Sequence, residues 1–411
     1  MGVIMKKSDL KKFAKLIVRQ GVNVQKNQSV IINASIENSN FVHMVVEECY
    51  KAKAKEVRVD WLDDDLTVLN LKYQSLETLS TVKPWVEERA KDMVTTLPAR
   101  IFIDSDDPDA LKDVDKKKMM ASNQARARVL KKYRDAIDNK HQWTIVGFPG
   151  VKWARKMFPN EKDKKALELL WDAIYKTTRL EGDPIKNWKE HAAFIHEKCD
   201  FLNNANIKTL HYKSKNGTDF KVGLTGKTLF HGGSVATVKG VVYDPNMPTE
   251  ECYTSPDPNT ASGVVYATKP LSLYGTVIKD FGFRFEKGKV VEIFGDEKTK
   301  EILKELVNMD EGASRLGEVA LVPFDSPVNQ TGLLFFNTLY DENACCHLAL
   351  GAGFDDCIRD FEKKSEEELK GVGLNDSIIH IDFMIGASDL EITAETFDGK
   401  TVPIFRNGTW A

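Results

Sequence analysis

The stretch Ser29-Val-Ile-Ile-Asn-Ala-Ser35 is a short apolar run that predicts a buried β-strand. Residues 41–54 follow with the pattern of a helix, and Glu56-Val-Arg-Val-Asp-Trp-Leu62 predicts a second strand. Further strands are predicted at residues 95–104 and 143–148, with long charged helical stretches between them. Strand, helix and strand repeated in this order indicate an α/β fold, with a mostly parallel sheet and helices on both of its faces.

The sequence changes character from about Asn203 onward. Short alternating segments, such as Ser272-Leu-Tyr-Gly-Thr-Val-Ile278 and Phe281-Gly-Phe-Arg-Phe-Glu286, are separated by glycine-rich turns and predict antiparallel strands. One helix interrupts them at about residues 298–308. We therefore expect two domains, an α/β domain over residues 1–190 and a β-rich (α+β) domain over residues 191–411.

Composition excludes several classes of protein. The 411 residues are 42% hydrophobic and 29% charged with a net charge of −3, which is typical of a globular protein and gives no basic surface for nucleic acid or for an anionic membrane. No apolar run reaches the roughly 18 residues of a membrane span, and the N-terminus lacks the apolar core of a signal peptide. Six cysteines show no CxxC spacing, so we expect reduced thiols and a cytoplasmic location.

His380 and Asp382 stand two residues apart in Ser377-Ile-Ile-His-Ile-Asp-Phe-Met-Ile385, a predicted strand. Their side chains would point to the same face, surrounded by Ile, Phe and Met. Burying a charge costs several kcal/mol unless a partner offsets it, and a cation would be such a partner. Taken alone, the pair is more typical of a histidine hydrogen-bonded to a nearby aspartate than of a functional site.

Other potential metal ligands lie in the same half of the chain. They are Glu342 and His347 in Asp-Glu-Asn-Ala-Cys-Cys-His, Glu318 before Val-Ala-Leu-Val, and Glu250 with Glu251 after Asn-Met-Pro-Thr. Each alone has an ordinary explanation as an edge carboxylate or a solvated turn. Together, two imidazoles and several carboxylates suit Zn²⁺, Co²⁺ or Mn²⁺ better than the metals that prefer thiolates. More than four ligands indicate two ions, about 3.5–4 Å apart, of the kind that assists hydrolysis.

Several rival sites are disfavoured. Gly223-Leu-Thr-Gly226-Lys-Thr has two residues between its glycines where a phosphate-binding loop needs four, and no G-x-G-x-x-G follows the first strand. A nucleophilic cysteine beside His347 is disfavoured, because Cys346 and His347 would face opposite sides of a strand. His191 and His196 fall in a charged amphipathic stretch, where we expect surface residues.

Four segments resemble the M29 family of metallo-aminopeptidases, the group of aminopeptidase T, AmpS and PepS. The segments are Asn246-Met-Pro-Thr-Glu-Glu251, Asp310-Glu-Gly-Ala-Ser-Arg-Leu-Gly-Glu-Val-Ala-Leu-Val322, Asn337-Thr-Leu-Tyr-Asp-Glu-Asn-Ala-Cys-Cys-His-Leu-Ala-Leu-Gly351 and Gly373-Leu-Asn-Asp-Ser-Ile-Ile-His-Ile-Asp-Phe-Met-Ile-Gly386. The resemblance implies an enzyme that releases N-terminal amino acids from peptides by means of two co-catalytic divalent ions (Zn, Co or Mn) and a bridging water. It also implies a homodimer.

Matching residue by residue, the resemblance implies six metal ligands, with Glu318 as the bridging carboxylate. The ligands are Glu251, Glu318, Glu342, His347, His380 and Asp382. The choice between Glu250 and Glu251 stays open, although we favour Glu251, because only one of two adjacent residues in an extended chain can reach the metals. Either Glu251 or Glu318 would handle the proton during catalysis.

One position departs from the family. The family usually carries a tyrosine seven residues after the first ligand histidine, where this sequence has Phe354. A phenyl ring cannot donate a hydrogen bond, and losing one oxyanion donor costs about 10²–10³ in rate. The equivalent residue is shifted, or Tyr340 or Arg315 replaces it, or the activity is weakened.

Two alternatives to an aminopeptidase stay open. The first is a metal-dependent hydrolase of another amide or ester. The second is a catalytically weakened homologue that binds metal or peptide, which Phe354 makes conceivable. An aminopeptidase requires peptides with a free N-terminus and rejects N-acetylated ones, which separates it from the first alternative. A peptide that binds tightly yet survives for hours in the presence of metal would favour the second.

Overall fold

The computed structural model describes residues 5–273 and 275–411. Tyr274, which belongs to the predicted strand Ser272–Ile278, lies outside the described residues, as do the first four residues of the chain. The helices are α1 Lys7–Leu16, α2 Ser39–Lys51, α3 Asp64–Tyr73, α4 Leu76–Ser80, α5 Pro84–Thr96, α6 Lys116–Ile137, α7 Val151–Met157, α8 Asp163–Thr177, α9 Pro184–Asn204, α10 Glu297–Val307, α11 Pro327–Gln330, α12 Thr338–Asp341 and α13 Glu366–Val372. Short 3₁₀ turns occupy Ile36–Asn38, Glu342–Ala344, Asp355–Cys357 and Phe361–Lys363, and a π-helical turn occupies Ile17–Gly21.

The strands of the described residues fall into two groups along the chain, before and after α9. The strands are β1 Ser29–Ser35, β2 Glu56–Leu62, β3 Ala99–Asp104, β4 Trp143–Gly147, β5 Ile207–Lys213, β6 Asp219–Gly223, β7 Val235–Ala236, β8 Val242–Tyr243, β9 Asn246–Met247, β10 Cys252–Thr254, β11 Ser262–Tyr266, β12 Leu271–Leu273, β13 Thr276–Ile278, β14 Gly282–Glu286, β15 Lys289–Phe294, β16 Leu316–Leu321, β17 His347–Gly351, β18 His380–Met384, β19 Glu391–Thr396, β20 Thr401–Arg406 and β21 Thr409–Trp410. No helix within residues 5–273 and 275–411 combines the length and the apolar content that crossing a bilayer requires.

The chain forms two compact units. One comprises Met1–Lys189 with Ser234–Pro248, and the other comprises Glu190–Gly233 with Thr249–Ala411. The segment Ser234–Pro248 therefore packs with the first unit although it follows in the second half of the chain. The domains 1–190 and 191–411 stay a prediction, since a domain is defined by its capacity to fold alone.

The first unit contains a five-stranded sheet in the order β2-β1-β3-β4-β9, and every pair in it is parallel. The pairing of β1 with β2 runs from Ser29 opposite Glu56 to Ser35 opposite Leu62. Central β1 is buried on both faces at Val30, Ile31 and Ile32, as its continuous apolar run predicts. The predicted α/β fold with a mostly parallel sheet is confirmed.

The second unit is built mainly from antiparallel strands. An eight-stranded sheet has the order β15-β14-β11-β6-β5-β19-β20-β21, and a four-stranded sheet has the order β10-β16-β17-β18. The predicted β-rich half is confirmed, with one correction. The segment Ser272–Ile278 was expected to be one strand, but β12 and β13 pair with each other as an antiparallel hairpin around Gly275, whose positive φ of 76° suits a turn.

The four-stranded sheet packs one face against the apolar core of the second unit. Phe383 on β18 meets Phe283 on β14 with ring centroids 5.1 Å apart. Alternate residues of the four strands share this core face, because side chains alternate along a strand. They include Cys252, Val319, Leu321, Leu348, Leu350, Ile381 and Phe383.

The register of the strands shows which residues lie on the opposite face of the same sheet, here called the polar face. Directly opposed residues of antiparallel strands point to the same side. The polar face carries Tyr253, Glu318, Ala320, His347, Ala349, Gly351, His380, Asp382 and Met384. A β-bulge between Leu316 and Glu318 bends β16, and a side chain at Gly317 would overlap the carbonyl oxygens of Gly351 and Ala352.

Candidate metal centre

The register of three strands brings Glu318, His380 and Asp382 together. Glu318 pairs with Ala349, which pairs with Asp382, so a methyl group separates the two carboxylates along the row. His380 Nε2 lies 3.2 Å from Glu318 Oε2 and 3.4 Å from Asp382 Oδ1. The three side chains offer ligand atoms within 4.8 Å of one another, which is close enough for one cation.

A second group shares Glu318 with the first. Glu251, just before β10, places Oε2 3.3 Å from Nε2 of His347, the first residue of β17. Glu251, Glu318 and His347 are all buried, and their ligand atoms also lie within 4.8 Å of one another. Glu318 thus belongs to both groups, and its role as a bridging carboxylate stays a prediction.

Glu342 lies in the 3₁₀ turn that leads into β17. Glu342 and Asp382 line the same cavity. Burial raises the pKa of Glu342 well above its ordinary value, and the carboxylates of Glu251 and Asp382 add to this effect. Glu342 therefore adds a fourth carboxylate to the cluster, although it is not a member of either group of three.

Glu250 and Glu251 point to different partners. Glu250 Oε2 lies 3.6 Å from His191 Nε2, and its backbone N–H donates to Asn343 Oδ1 at 2.7 Å. His191 was expected at the surface, but its imidazole is largely buried on α9 and lies 2.7 Å from the carbonyl of Thr249. That expectation was wrong for His191, whereas His196 is exposed as predicted.

Both imidazoles of the cluster are oriented by main-chain carbonyls. Nδ1 of His380 lies 2.7 Å from the carbonyl oxygen of Ala352, and Nδ1 of His347 lies 3.4 Å from that of Cys345. A carbonyl oxygen only accepts, so each Nδ1 carries the hydrogen and each Nε2 faces the carboxylates. This arrangement is typical of metal-binding histidines, whose second nitrogen donates to an oxygen.

The electrostatics of the cluster show crowded negative charge. Burial raises the pKa of Glu318 to about 7, against the lowering effect of His380. Burial alone would lower the histidine pKa values, but Glu251 and Glu318 raise that of His347 to about 10. In the same way, Asp382 and Glu318 raise the pKa of His380 to about 11.

The donor set fits divalent cations. Oδ1 of Asp382 is buried and has no hydrogen-bond partner within the described residues, so this carboxylate oxygen is available to a ligand. Four carboxylates and two imidazoles in one place match the hard and borderline divalent ions. Asp382 keeps a lowered pKa despite its burial, chiefly because the imidazole of His380 lies beside its carboxylate.

Phe354 lies directly beside the cluster. Its ring is 4.9 Å from the His380 ring and 5.4 Å from the Tyr253 ring, centroid to centroid, and it is 36% exposed. Its backbone N–H donates to Ser255 Oγ at 2.7 Å. The expected position of the family tyrosine therefore lies at the site, occupied by a phenyl ring.

The two suggested replacements for the missing hydroxyl make other contacts. Arg315 donates to the carbonyl of Pro258 at 2.9 Å and to Asn259 Oδ1 at 3.0 Å. Tyr340 is fully buried and stacks on Phe335 with ring centroids 4.6 Å apart. Neither set of contacts joins the carboxylate cluster.

The thiols beside His347 have the character of core residues. Cys345 and Cys346 are buried, and burial raises the pKa of Cys345 to about 11. Cys346 Sγ lies 3.3 Å from the carbonyl of Val322, to which it donates. A protonated and enclosed thiol is a poor nucleophile, which agrees with the sequence-based argument against a cysteine hydrolase.

The sequence matches the family described as thermophilic metalloprotease (M29) over residues 6–410. The chain is 43% identical over 404 residues to aminopeptidase AmpS of Bacillus subtilis and 41% identical over 406 residues to aminopeptidase 2 of Geobacillus stearothermophilus, covering 98% of each chain. Its fold matches the solved structure of wild-type AmpT from Thermus thermophilus with a TM-score of 0.91 and 38% identity, over 98% of this chain and 99% of that one.

These matches extend over almost the entire chain, so they apply to both compact units and to every element of the cluster. They confirm the predicted resemblance and the predicted fold class. The family description also agrees with the buried carboxylates and imidazoles of the polar face, which suit a metal. The chain belongs to the M29 family of metalloproteases.

Proposed function

We propose that this protein is a metal-dependent aminopeptidase that releases N-terminal amino acids from peptides by means of two divalent ions. The observation that carries the proposal is the position of Glu318, which is common to both groups of candidate ligands. Two sites that share one carboxylate suit a pair of ions better than a single ion. The names of the similar curated proteins, aminopeptidases in each case, support the choice of substrate.

Six side chains would hold the ions. They are Glu251, Glu318, Glu342, His347, His380 and Asp382. Between the two adjacent glutamates we assign Glu251, because Glu250 is engaged near His191 while Glu251 faces His347. When bound, Zn²⁺, Co²⁺ or Mn²⁺ would supply Lewis acidity, which polarises a carbonyl and acidifies water.

The residues of the chain have distinct tasks in this proposal. The carboxylates of Glu318 and Asp382 are buried, and their positions are fixed because both residues belong to strands of the sheet. Glu251 precedes β10 outside the sheet, and we assign to it the transfer of a proton from the attacking water to the leaving amine. Phe354 lies at the exposed side of the cluster and would border the bound peptide.

Preference for a free N-terminus follows from how the amine would be bound. Two divalent ions would offset the charge of the four carboxylates, so the free amine of a peptide would be held as a ligand of an ion or by one acidic side chain. An N-acetylated peptide lacks this amine. It should therefore bind less well than the free peptide.

The test is hydrolysis of leucine p-nitroanilide by purified protein. EDTA should abolish the activity, and Zn²⁺, Co²⁺ or Mn²⁺ should restore it, whereas the N-acetylated substrate should stay intact. Activity that EDTA does not reduce would contradict the metal-dependent mechanism. Equal cleavage of the acetylated substrate would favour a hydrolase of other amides or esters.

Phe354 favours one second candidate, a homologue that binds metal and peptide with little turnover. Its phenyl ring lies where the family tyrosine is expected, next to His380. Under this alternative the protein would bind a leucyl peptide in the presence of metal and leave it intact for hours. The same assay, followed by chromatography of the peptide, separates the two candidates.

We also propose that the protein works as a homodimer in the cytoplasm. The frequency of symmetric dimers and the resemblance to the family support the dimer. Six buried cysteines, all free, agree with a reducing compartment. Light scattering coupled to size-exclusion chromatography would test the dimer.

A further inference from the structure

We propose that the hydroxyl of Tyr253 donates a hydrogen bond to the carbonyl oxygen of the scissile bond, and so supplies the donor that Phe354 lacks. This inference rests on the proposed aminopeptidase function and adds a catalytic residue to it. Tyr253 belongs to none of the segments that carry the family resemblance. It follows Glu251 by two residues, which is the same spacing as that of His380 and Asp382.

The register places Tyr253 on the polar face of the four-stranded sheet. Tyr253 on β10 is directly opposite Ala320 on β16, and Ala320 is directly opposite His347 on β17. The three side chains therefore point to the same side. Between the phenol ring and the imidazole, Ala320 contributes only a methyl group.

Main-chain bonds hold Tyr253 on both sides. Its N–H donates to the carbonyl of His231 at 2.8 Å and its carbonyl accepts from the N–H of His231 at 2.9 Å. On the other side it belongs to the ladder with β16. The base of the phenol is thus fixed before substrate binds, as electrostatic stabilisation of a transition state requires.

The ring of Tyr253 lies beside Phe354, which occupies the position where the family hydroxyl is missing. The two rings meet edge to face at 5.4 Å between centroids, and Phe354 in turn contacts the ring of His380. Tyr253 is half-buried and lies on the same face of the sheet as the carboxylate cluster. A phenol hydroxyl can donate a hydrogen bond, so this residue can offer one to a ligand bound at the cluster.

The chemistry needs no proton transfer. As water adds to the carbonyl carbon, the π electrons move to the oxygen, and a phenol O–H directed at this oxygen stabilises the growing charge while keeping its own hydrogen. A phenol ordinarily has a pKa of about 10. The hydroxyl therefore stays a donor throughout the neutral pH range.

The main test is Tyr253→Phe, which removes one oxygen and keeps the ring that packs on Phe354. We expect kcat on leucine p-nitroanilide to fall about 10²–10³-fold, with KM within about twofold and unchanged metal content. Tyr266→Phe is the matched control, because Tyr266 lies on β11 of the eight-stranded sheet and packs on Phe294. The control should keep its kcat. A Tyr253→Phe enzyme within threefold of wild type overturns the inference.

Two further measurements distinguish a catalytic role from a structural one. Tyr253→Phe should weaken binding of the phosphonic acid analogue of leucine, a tetrahedral mimic, by at least about tenfold and leave binding of leucine unchanged. Equal weakening of both ligands contradicts the role. Adding Phe354→Tyr to Tyr253→Phe should return at least about tenfold in kcat, since the two rings are in contact. A double variant as slow as the single one also contradicts it.

The failure of this inference is distinguishable from failure of the proposed function. If the wild-type protein cleaves no aminoacyl substrate with any of the three metals, the aminopeptidase proposal fails and the role of Tyr253 fails with it. If wild type and Tyr253→Phe cleave equally well, only the role of Tyr253 fails.

Discussion

The two faces of the sheet formed by β10, β16, β17 and β18 are made from the same strands, yet they have opposite chemistry. Phe383 and Leu348 on the core face are fully buried among apolar side chains. Asp382 and His347, each one residue away, face the carboxylate cluster. The strands are anchored through one face, and this anchoring fixes the positions of ligands on the other. Stability and metal affinity should therefore be separable by substitutions one residue apart.

The largest expected effect comes from removing the shared ligand on the polar face. Glu318→Gln keeps the size of the side chain and removes the charge common to both groups. We expect kcat/KM to fall about 10³-fold or more, because charge stabilisation by metal amounts to several kcal/mol. Metal content by plasma mass spectrometry should fall as well.

The matched control is Glu395→Gln, an exposed glutamate on β19 of the same unit. It should retain full activity and full metal content. A Glu318→Gln protein with unchanged metal content and unchanged activity would refute the shared position of this carboxylate.

The corresponding change on the core face is Phe383→Ala. Phe383 is buried against Phe283, so the variant should lose about 3–5 kcal/mol of unfolding free energy. Urea unfolding measures this loss. The folded fraction should keep its metal, because Asp382 retains its register opposite Ala349.

Phe397→Ala serves as the control for this change, since Phe397 is 46% exposed. It should alter the unfolding free energy by less than about 0.5 kcal/mol. Equal destabilisation by both phenylalanine substitutions would contradict the assignment of Phe383 to the core face.

The third prediction concerns the pH dependence of metal affinity. In the metal-free protein the pKa values of His347 and His380 are about 10 and 11, so both imidazoles hold an extra proton at neutral pH. A cation must displace these protons, so affinity should rise with pH between 6 and 9. The slope is about tenfold per pH unit for each displaced proton, or about 100-fold for two.

Calorimetric titration with Mn²⁺ in buffers of different ionisation enthalpy counts the released protons. At least two are expected from the imidazoles, and the raised pKa values of Glu318 and Glu342 add to this number. His196→Gln should leave this number unchanged, because His196 is exposed and outside the cluster. An affinity that does not vary with pH would show that the imidazoles are not displaced by metal.

The smallest expected effect comes from a substitution in the backbone of β16 that should change both stability and metal binding. A methyl group at Gly317 would overlap the carbonyl oxygens of Gly351 and Ala352, next to Glu318. Gly317→Ala should lower the unfolding free energy by about 1–3 kcal/mol and weaken metal binding, because the strand must shift. Thermal unfolding and metal titration measure both effects.

Gly371→Ala is the control for this glycine. Gly371 lies in α13, and a methyl group there meets no atom of the described residues within 4 Å. This change should leave metal binding as it is and raise the unfolding free energy by about 0.5–1 kcal/mol. A Gly317→Ala variant that behaves in the same way would contradict the tight packing of the bulge.

Local patterns in the sequence predicted a large part of the fold. The strands Ser29–Ser35 and Glu56–Leu62 were predicted with the bounds that the structure has. The first is a short apolar run, and the second alternates apolar with polar residues, which is a local pattern in each case. The spacing of His380 and Asp382 likewise predicted a shared face. The strand bounds and the shared face depend only on residues that are close in the chain, because side chains alternate between the two faces of a strand.

Other features depend on segments that are far apart in the chain. The partnership of Glu250 with His191 joins two positions 59 residues apart, which no local pattern can show. The place of Tyr253 opposite Ala320 depends on the register between β10 and β16. The prediction of one strand over Ser272–Ile278, where the structure has a hairpin, was wrong for a local reason. A glycine such as Gly275 permits either an extended chain or a turn, so the sequence does not decide between them.

The main-chain acceptors of the two imidazoles have a consequence for how this centre tolerates change. Every residue type carries a carbonyl oxygen, so no single substitution at Cys345 or Ala352 deletes the acceptor of either Nδ1. The backbone conformation therefore orients both imidazole rings, and the identity of the neighbouring side chains does not. Residues around the site can change by mutation while the Nε2 atom of each histidine keeps its direction toward the carboxylates.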